Sequence, residues 1–239
     1  MKWLRRKPTI ITAVSLVVVL AAAATLWNVS SSRTFQFFGE LVDRVETTDK
    51  VVALTFDDGP DPAGTQEVLD TLNEEQIKAT FFLMGRDLHQ HPDLGKAIAQ
   101  AGHEIGNHTY NHKRMVGVTP STVAKEIEDT DAQIKKTGYS GEIHFRPPNG
   151  KKLFALPHYL SNHNRKTIMW DVEPDSAGTP TAQQIEQDVL DQTKPGSIIL
   201  LHPMYASRSE TRQALKPIIQ ELKERGFRFV TVSALLNQA

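Results

Sequence analysis

Two adjacent aspartates, a spaced pair of histidines, an arginine and a late histidine are the residues of this chain best equipped for chemistry. They are Asp57 and Asp58, His108 and His112, Arg146, and His202. Adjacent residues of an extended chain point opposite ways. One carboxylate of the Asp57–Asp58 pair can therefore bind a metal while the other faces the reacting atoms. Gly59–Pro60 turns the chain sharply just after them. His108-x3-His112 puts both imidazoles on one face if the segment is helical, and they can also converge from a loop. Two histidines and a carboxylate form a common ligand set for a catalytic zinc, which keeps a position open for water. Taken singly, each motif has a plain reading, as a turn with solvated aspartates or as two surface histidines. Together, carboxylates, histidines and an arginine point to a metal-assisted hydrolase.

Each of these groups stands at the end of a short apolar run. Val51–Phe56 leads to Asp57, Glu104–Gly106 to His108, and Ile143–Phe145 to Arg146. Thr167–Trp170 leads to Asp171, and Ser197–Leu201 to His202. Short apolar runs bounded by turn residues predict buried strands. Helices are predicted between them, over 64–73, 92–101 and 213–225, with two more opening at Thr119-Pro120 and Thr179-Pro180. A further strand is expected over 78–84 and a last one over 227–232. Strands alternating with helices predict an α/β fold with parallel strands, whose active sites gather at the strands' C-terminal ends. A distorted, shortened (β/α) barrel suits the roughly 190 residues available better than a full barrel of about 250.

The chain has 239 residues and no cysteine, so any metal must rely on histidine and carboxylate ligands. Residues 1–27 read as a signal anchor: Lys2, Arg5, Arg6 and Lys7 precede an uncharged stretch from Pro8 to Trp27. About 20 apolar residues span a bilayer, and flanking basic residues favour the cytoplasmic side. A signal peptide cut near the alanines at 21–24 is the competing reading. Both export the rest of the chain, and the anchor is preferred for the length of the run and for Trp27 at the far interface. Residues 28–48 read as a linker with a few aromatics, and 49–239 as the catalytic domain. The net charge is −1 and the first 27 residues carry +4, which leaves −5 on the remainder. That balance argues against a nucleic-acid partner.

The order of motifs resembles the polysaccharide deacetylases, the NodB-homology family of carbohydrate esterases (carbohydrate esterase family 4). Thr55-Phe56-Asp57-Asp58-Gly59-Pro60 and His108-Thr109-x-x-His112 carry most of the resemblance. Arg146-Pro147-Pro148-Asn149-Gly150, Trp170 with its following acids, and Leu200-Leu201-His202 continue it in sequence. The resemblance implies one divalent metal, most simply Zn2+ with Co2+, Ni2+ or Mn2+ as alternatives, held by Asp58, His108 and His112. It implies Asp57 as general base, Arg146 as its orienting partner, and His202 as general acid. It also implies Asn149 as a backbone oxyanion donor, with Trp170 and Leu200 walling the pocket around the acetyl methyl. The expected substrate is an N-acetylated amino-sugar glycan outside the cytoplasm, peptidoglycan being the most economical choice for an anchored enzyme. No protein partner is predicted.

Two positions depart from the family pattern. The frequent Asp-Trp pair after the fourth-motif tryptophan is absent. Asp175 is the preferred acid partner for His202, with Glu173 and Asp171 as alternatives. Asn149 also stands where tyrosine is frequent. An O-acetyl esterase of the xylan type, a non-catalytic glycan-binding protein and a metal-dependent phosphoesterase are the rival readings. The last lacks a visible second set of acidic ligands. His89, His91, His103, His144, His158 and His163 lack motif context and read as packing or surface residues. Asp61 reads as a turn residue. Tyr205, Arg208 and Arg212 read as solvated loop and helix positions that could reach a sugar.

Overall fold

Val51–Asp57 (β2) is buried at every residue, which explains its unbroken apolar run. A parallel strand covered on both faces loses the alternation of a half-exposed one. In the computed structural model, which describes Arg6–Gln238, β2 is the hub of a sheet whose strand pairs are parallel. Thr80–Leu83 (β3) pairs with its last residues, and Ile198–Leu201 (β6) pairs along Ala53–Phe56. Glu104–Asn107 (β4) extends the sheet beyond β3. Arg228–Val230 (β7) pairs with Val51–Ala53. Parallel bridges continue the ladder from Asn107 to Phe145 and from Phe145 to Thr167. Thr167–Ile168 (β5) then leads to Val172, which bridges Ile199 of β6.

Helices fill the connections. Thr65–Glu74 (α2), Pro92–Gln100 (α4), Pro120–Lys136 (α5), Ala182–Gln192 (α7) and Ser209–Glu224 (α8) occupy regions where helices are predicted. Thr119 caps α5 by accepting from the Thr122 N–H, with Pro120 in the first turn. The expectation of the same device at Thr179-Pro180 needs correction. The cap of α7 is Thr181, which forms a reciprocal capping box with Gln184 and so outcompetes the earlier threonine. The last strand is shorter than expected, because Thr231 caps a short helix, Val232–Leu236 (α9). The 143–145 run contributes only a bridge at Phe145. Gly85–Gln90 (α3) and Ala155–Asn162 (α6) were not read from the sequence. Apolar side chains of β2, β3, β6, α2, α7 and α8 make the largest core cluster, including Phe56, Phe81, Leu201 and Ile218.

Arg6–Ser30 (α1) is one long helix. Its Thr12–Ser30 stretch is apolar and long enough to cross a membrane, and it is exposed as far as Asn28. Of the basic flank, Lys2 and Arg5 lie outside the described residues. The segment read as a linker is built into the sheet. Leu41–Val42 (β1) pairs with β5, and Arg44 bridges Ser197. The Val45 N–H donates to the Gly196 carbonyl at 3.0 Å.

Candidate active site

The strand ends do converge. A cavity of about 380 Å³ is lined by Asp57, Asp58, His108, His112, Asn149, Trp170, Leu200 and His202, together with Glu173, Ser176 and Arg208. Asp57 is the last residue of β2 and almost wholly buried. Its Oδ1 accepts from Arg146 Nη1 at 2.7 Å, and its Oδ2 lies 3.6 Å from His108 Nε2. Burial alone would raise the Asp57 carboxyl. The Arg146 guanidinium outweighs this, aided by His108 and His202, and holds the carboxyl below its ordinary value. Arg146 has no exposed surface. Its fork is spent on fixed acceptors: Asp57, Thr55 Oγ1 at 2.8 Å, and the carbonyls of Ile168 and Met169. It also packs over the Phe82 ring at 4.1 Å.

Asp58 does not continue the strand. Its φ of 73° turns the chain into the left-handed region and re-aims its carboxylate. Asp58 Oδ1 lies 3.4 Å from His112 Nε2 and 3.9 Å from His108 Nε2. One ligand atom from each of these three residues falls within 4.8 Å of the others. The histidines converge from a loop rather than from a helix face, with Thr109 and His112 both at positive φ. His108 Nδ1 bonds the Arg146 carbonyl at 2.8 Å, which leaves Nε2 for the cavity. Burial holds His108 below the ordinary histidine pKa, hence neutral and able to ligate. Asp58 Oδ1 is buried without a hydrogen-bond partner. A buried anionic oxygen needs a compensating charge. The donor set and this orphaned oxygen both fit one divalent cation.

Across the cavity, His202 follows β6. Its Nδ1 meets Asp175 Oδ1 at 3.0 Å, while its N–H donates to Asp175 Oδ2 at 2.7 Å. Thr211 Oγ1 also donates to Asp175, and Arg208 Nη1 to the Asp175 carbonyl. Burial opposes charging His202, but the Asp175 bond and charge, with Asp57 and Asp58, raise it to about 9. Of the other acids considered as its partner, Glu173 accepts from the Trp170 indole at 2.6 Å, and Asp171 holds Ser197 and the Ile198 N–H. Asn149 sits at φ 54° in the Pro148–Gly150 turn, its side chain accepting from Arg114 Nε at 3.0 Å. Tyr205 and Arg212 brace the loop after His202, through Asp87 and through the Pro203 and Tyr205 carbonyls. Of the histidines set aside, His103 is buried, and burial with nearby Lys78 pushes it down to about 4. Asp61 forms a turn by accepting from the Ala63 N–H.

Sequence reasoning missed Glu126. From α5 it accepts the N–H groups of Tyr110 and Asn111 at 2.9 and 2.8 Å, and so pins the His108–His112 loop. An acid at the inward spacing set by Val123, Ile127 and Thr130 was the available signal.

Comparison with known proteins gives the family. The pattern of the polysaccharide deacetylase family matches residues 44–168. The chain belongs to the polysaccharide deacetylase family. A peptidoglycan-N-acetylglucosamine deacetylase of Bacillus cereus is 37% identical over 201 residues, covering 83% of this chain and 94% of the relative. A solved peptidoglycan N-acetylglucosamine deacetylase superposes with a TM-score of 0.78 at 34% identity, over 82% of this chain and 92% of that one. A family 4 acetyl xylan esterase from Clostridium thermocellum, solved with a cobalt ion, gives 0.72 at 36% identity. It aligns over 79% of this chain and 91% of its own. The deacetylase family and the parallel α/β fold expected from the motifs are thereby established.

Proposed function

We propose that this polysaccharide deacetylase removes N-acetyl groups from an N-acetylglucosamine-containing glycan of the cell envelope, with a divalent metal as cofactor. The observation that carries the reading is the opposition of two poised groups across one cavity. Asp57 is kept ionised by Arg146 on one wall, and His202 is kept protonated by Asp175 on the other. Asp58, His108 and His112 would hold a divalent cation, which when bound would supply Lewis acidity and lower the pKa of water toward neutral. Asp57 accepts the proton of the attacking water. The Asn149 N–H donates to the oxyanion as the tetrahedral intermediate forms. His202 hands its proton to the amide nitrogen as the C–N bond breaks, releasing acetate and a free amine. Trp170 and Leu200 wall the methyl group.

The ring of parallel pairings through Phe145, β5 and Val172 reads as a shortened, distorted barrel. Helix α1 reads as a single-pass anchor with the catalytic domain outside, in reach of cell-wall glycan. A helix of 25 residues exceeds the roughly 20 needed to cross the hydrocarbon core. Likeness to an acetyl xylan esterase supports a second reading, O-deacetylation, which asks less of His202 because an alkoxide leaves more readily than an unprotonated amine.

The test is acetate release from N-acetylglucosamine oligomers, peptidoglycan and acetylated xylan by the full chain in detergent. It is run before chelation, after it, and after zinc or cobalt is returned. Chelator-sensitive release from the amino-sugar substrates, restored by metal, supports the proposal. Release from xylan alone replaces it with the esterase reading.

A further inference from the structure

Four phenylalanines lie open to solvent beside the end of α1. Phe35, Phe37, Phe38 and Phe154 are 49, 40, 43 and 47% exposed. They form a cluster rather than scattered residues. Phe37 stacks on Phe154 at 4.7 Å and meets Phe35 edge-on at 5.4 Å, while Phe38 sits edge-on to His158 at 5.4 Å. Single exposed apolar side chains need no explanation, but a contiguous aromatic patch marks an interaction surface.

The patch is continuous with the helix end. Trp27, in the last turn of α1, lies under Lys151 Nζ at 4.0 Å. The Lys152 N–H donates to the Ser30 carbonyl at 2.9 Å, and its ammonium to the Ser32 carbonyl. Lys151 also donates to Ser31 Oγ. Two residues beyond Lys152 is Phe154, the ring on which Phe37 stacks. The helix is thus clamped to the domain at the loop that carries Asn149, and the aromatic patch is held in register with it. Arg33 belongs to the strap of chain that joins α1 to β1. Its guanidinium lies 5.6 Å from the Trp170 ring and 3.8 Å from Glu173 on the pocket wall.

We infer that Phe35, Phe37, Phe38 and Phe154, flanked by Arg33 and Lys151, form a docking surface for the bilayer that α1 enters. The inference rests on the reading of α1 as membrane-spanning. Phenylalanine rings on an exposed apolar face bury into the headgroup–acyl boundary when that face lies against a bilayer. Basic side chains flanking such a face add electrostatic attraction to anionic lipid. The rigid clamp at Lys151–Lys152 replaces a flexible tether, so the catalytic pocket is held at one height and tilt above the membrane.

The absence of cysteine makes the test direct. Single cysteines are placed as Phe37→Cys, Phe154→Cys and, away from the patch on α8, Glu224→Cys, each carrying a nitroxide. The full chain is reconstituted at one copy per nanodisc of phosphatidylglycerol and phosphatidylethanolamine. Collision with a water-borne nickel chelate is compared with collision with oxygen. The expected result is loss of nickel broadening and a shift toward oxygen at 37 and 154, with full nickel access at 224. Full nickel access at all three, in chains that co-elute with the discs, overturns the docking surface and leaves the anchor intact. Chains that do not co-elute with the discs overturn the anchor reading and the docking surface with it. Shielding of 37 and 154 that is equal in lipid-free detergent and grows with protein concentration assigns the patch to a second copy, which also overturns the proposal.

Discussion

At the level of single residues, the two sides of the cavity make separable predictions. Asp57→Asn keeps the shape and the Arg146 contact but removes the carboxylate proposed as the base. Acetate release is expected to fall by about 10²- to 10⁴-fold, the usual worth of a positioned base. Metal content, measured by elemental analysis, is expected to stay at the parent value, because Asp57 is not in the ligand cluster. Parent activity in this variant would reject the assignment. The acid side is tested by pH. His202 is raised to about 9, and its first counter-charge is Asp175. Activity that needs protonated His202 should therefore decline as pH rises through about 9. Asp175→Asn removes that counter-charge, so the alkaline limb of kcat/KM should move down toward the ordinary histidine value of about 6.5. The same pair is linked to stability with a definite sign. A raised folded-state pKa contributes stability that is complete below about 6.5 and is lost as pH climbs through about 9. Melting temperature against pH should show that loss in the parent and a smaller one in the variant. An alkaline limb that Asp175→Asn leaves in place would mean that another group is the acid.

At the level of elements, the strands and their terminal residues were far more legible in the sequence than the loops between them. β2 and β6 announce themselves because burial on both faces forces continuous apolar runs, each followed at once by a polar residue. Asp175 could be proposed because it is one of few acids near Trp170, but only the fold brings it to His202, 27 positions along the chain. The conformation of the second motif was not legible. The spacing of His108 and His112 is compatible with a helix, and what rules the helix out is long-range. The loop's N–H groups are taken by Glu126, on an element that starts after the loop ends. Short helices such as α3 were missed for a related reason, since six residues carry too little periodicity to register. The role of Glu126 is checkable. Glu126→Ala leaves two loop N–H groups without their acceptor, and partners that orient metal ligands typically contribute 10- to 100-fold, or about 1.4–2.8 kcal/mol, to metal affinity. Zinc affinity measured by chelator competition is expected to fall within that range, with the fold retained by circular dichroism. Unchanged affinity would reduce Glu126 to a packing residue.

For the molecule as a whole, the decisive feature is that the polypeptide between α1 and the sheet is structural. Residues 28–48 are polar enough to read as a spacer, because their strand is two residues long and its pairing partner lies more than 120 positions away. Only the assembled fold reveals β1 against β5, Arg44 against Pro195 and Ser197, and Val45 against Gly196. Gly196 is where this can be tested without touching the active site. It turns the chain into β6 with φ at 81°, and a Cβ there would lie 1.8 Å from the Val45 carbonyl oxygen. Gly196→Ala must therefore both strain its own backbone and push the strap away. Strain at a special φ together with lost packing places the cost at roughly 2 kcal/mol or more. In a domain of this size, each kcal/mol moves the melting temperature by about 2–4 °C. The expected outcome is a fall of about 4–8 °C, accompanied by faster proteolysis between Ser31 and Thr48 than in the parent. If the strap were a loose spacer, that segment would already be cut quickly in the parent, and the Gly196→Ala chain would melt close to it. A stable, protease-resistant parent with a destabilised variant would show that the helix, the strap and the catalytic sheet fold as one cooperative unit.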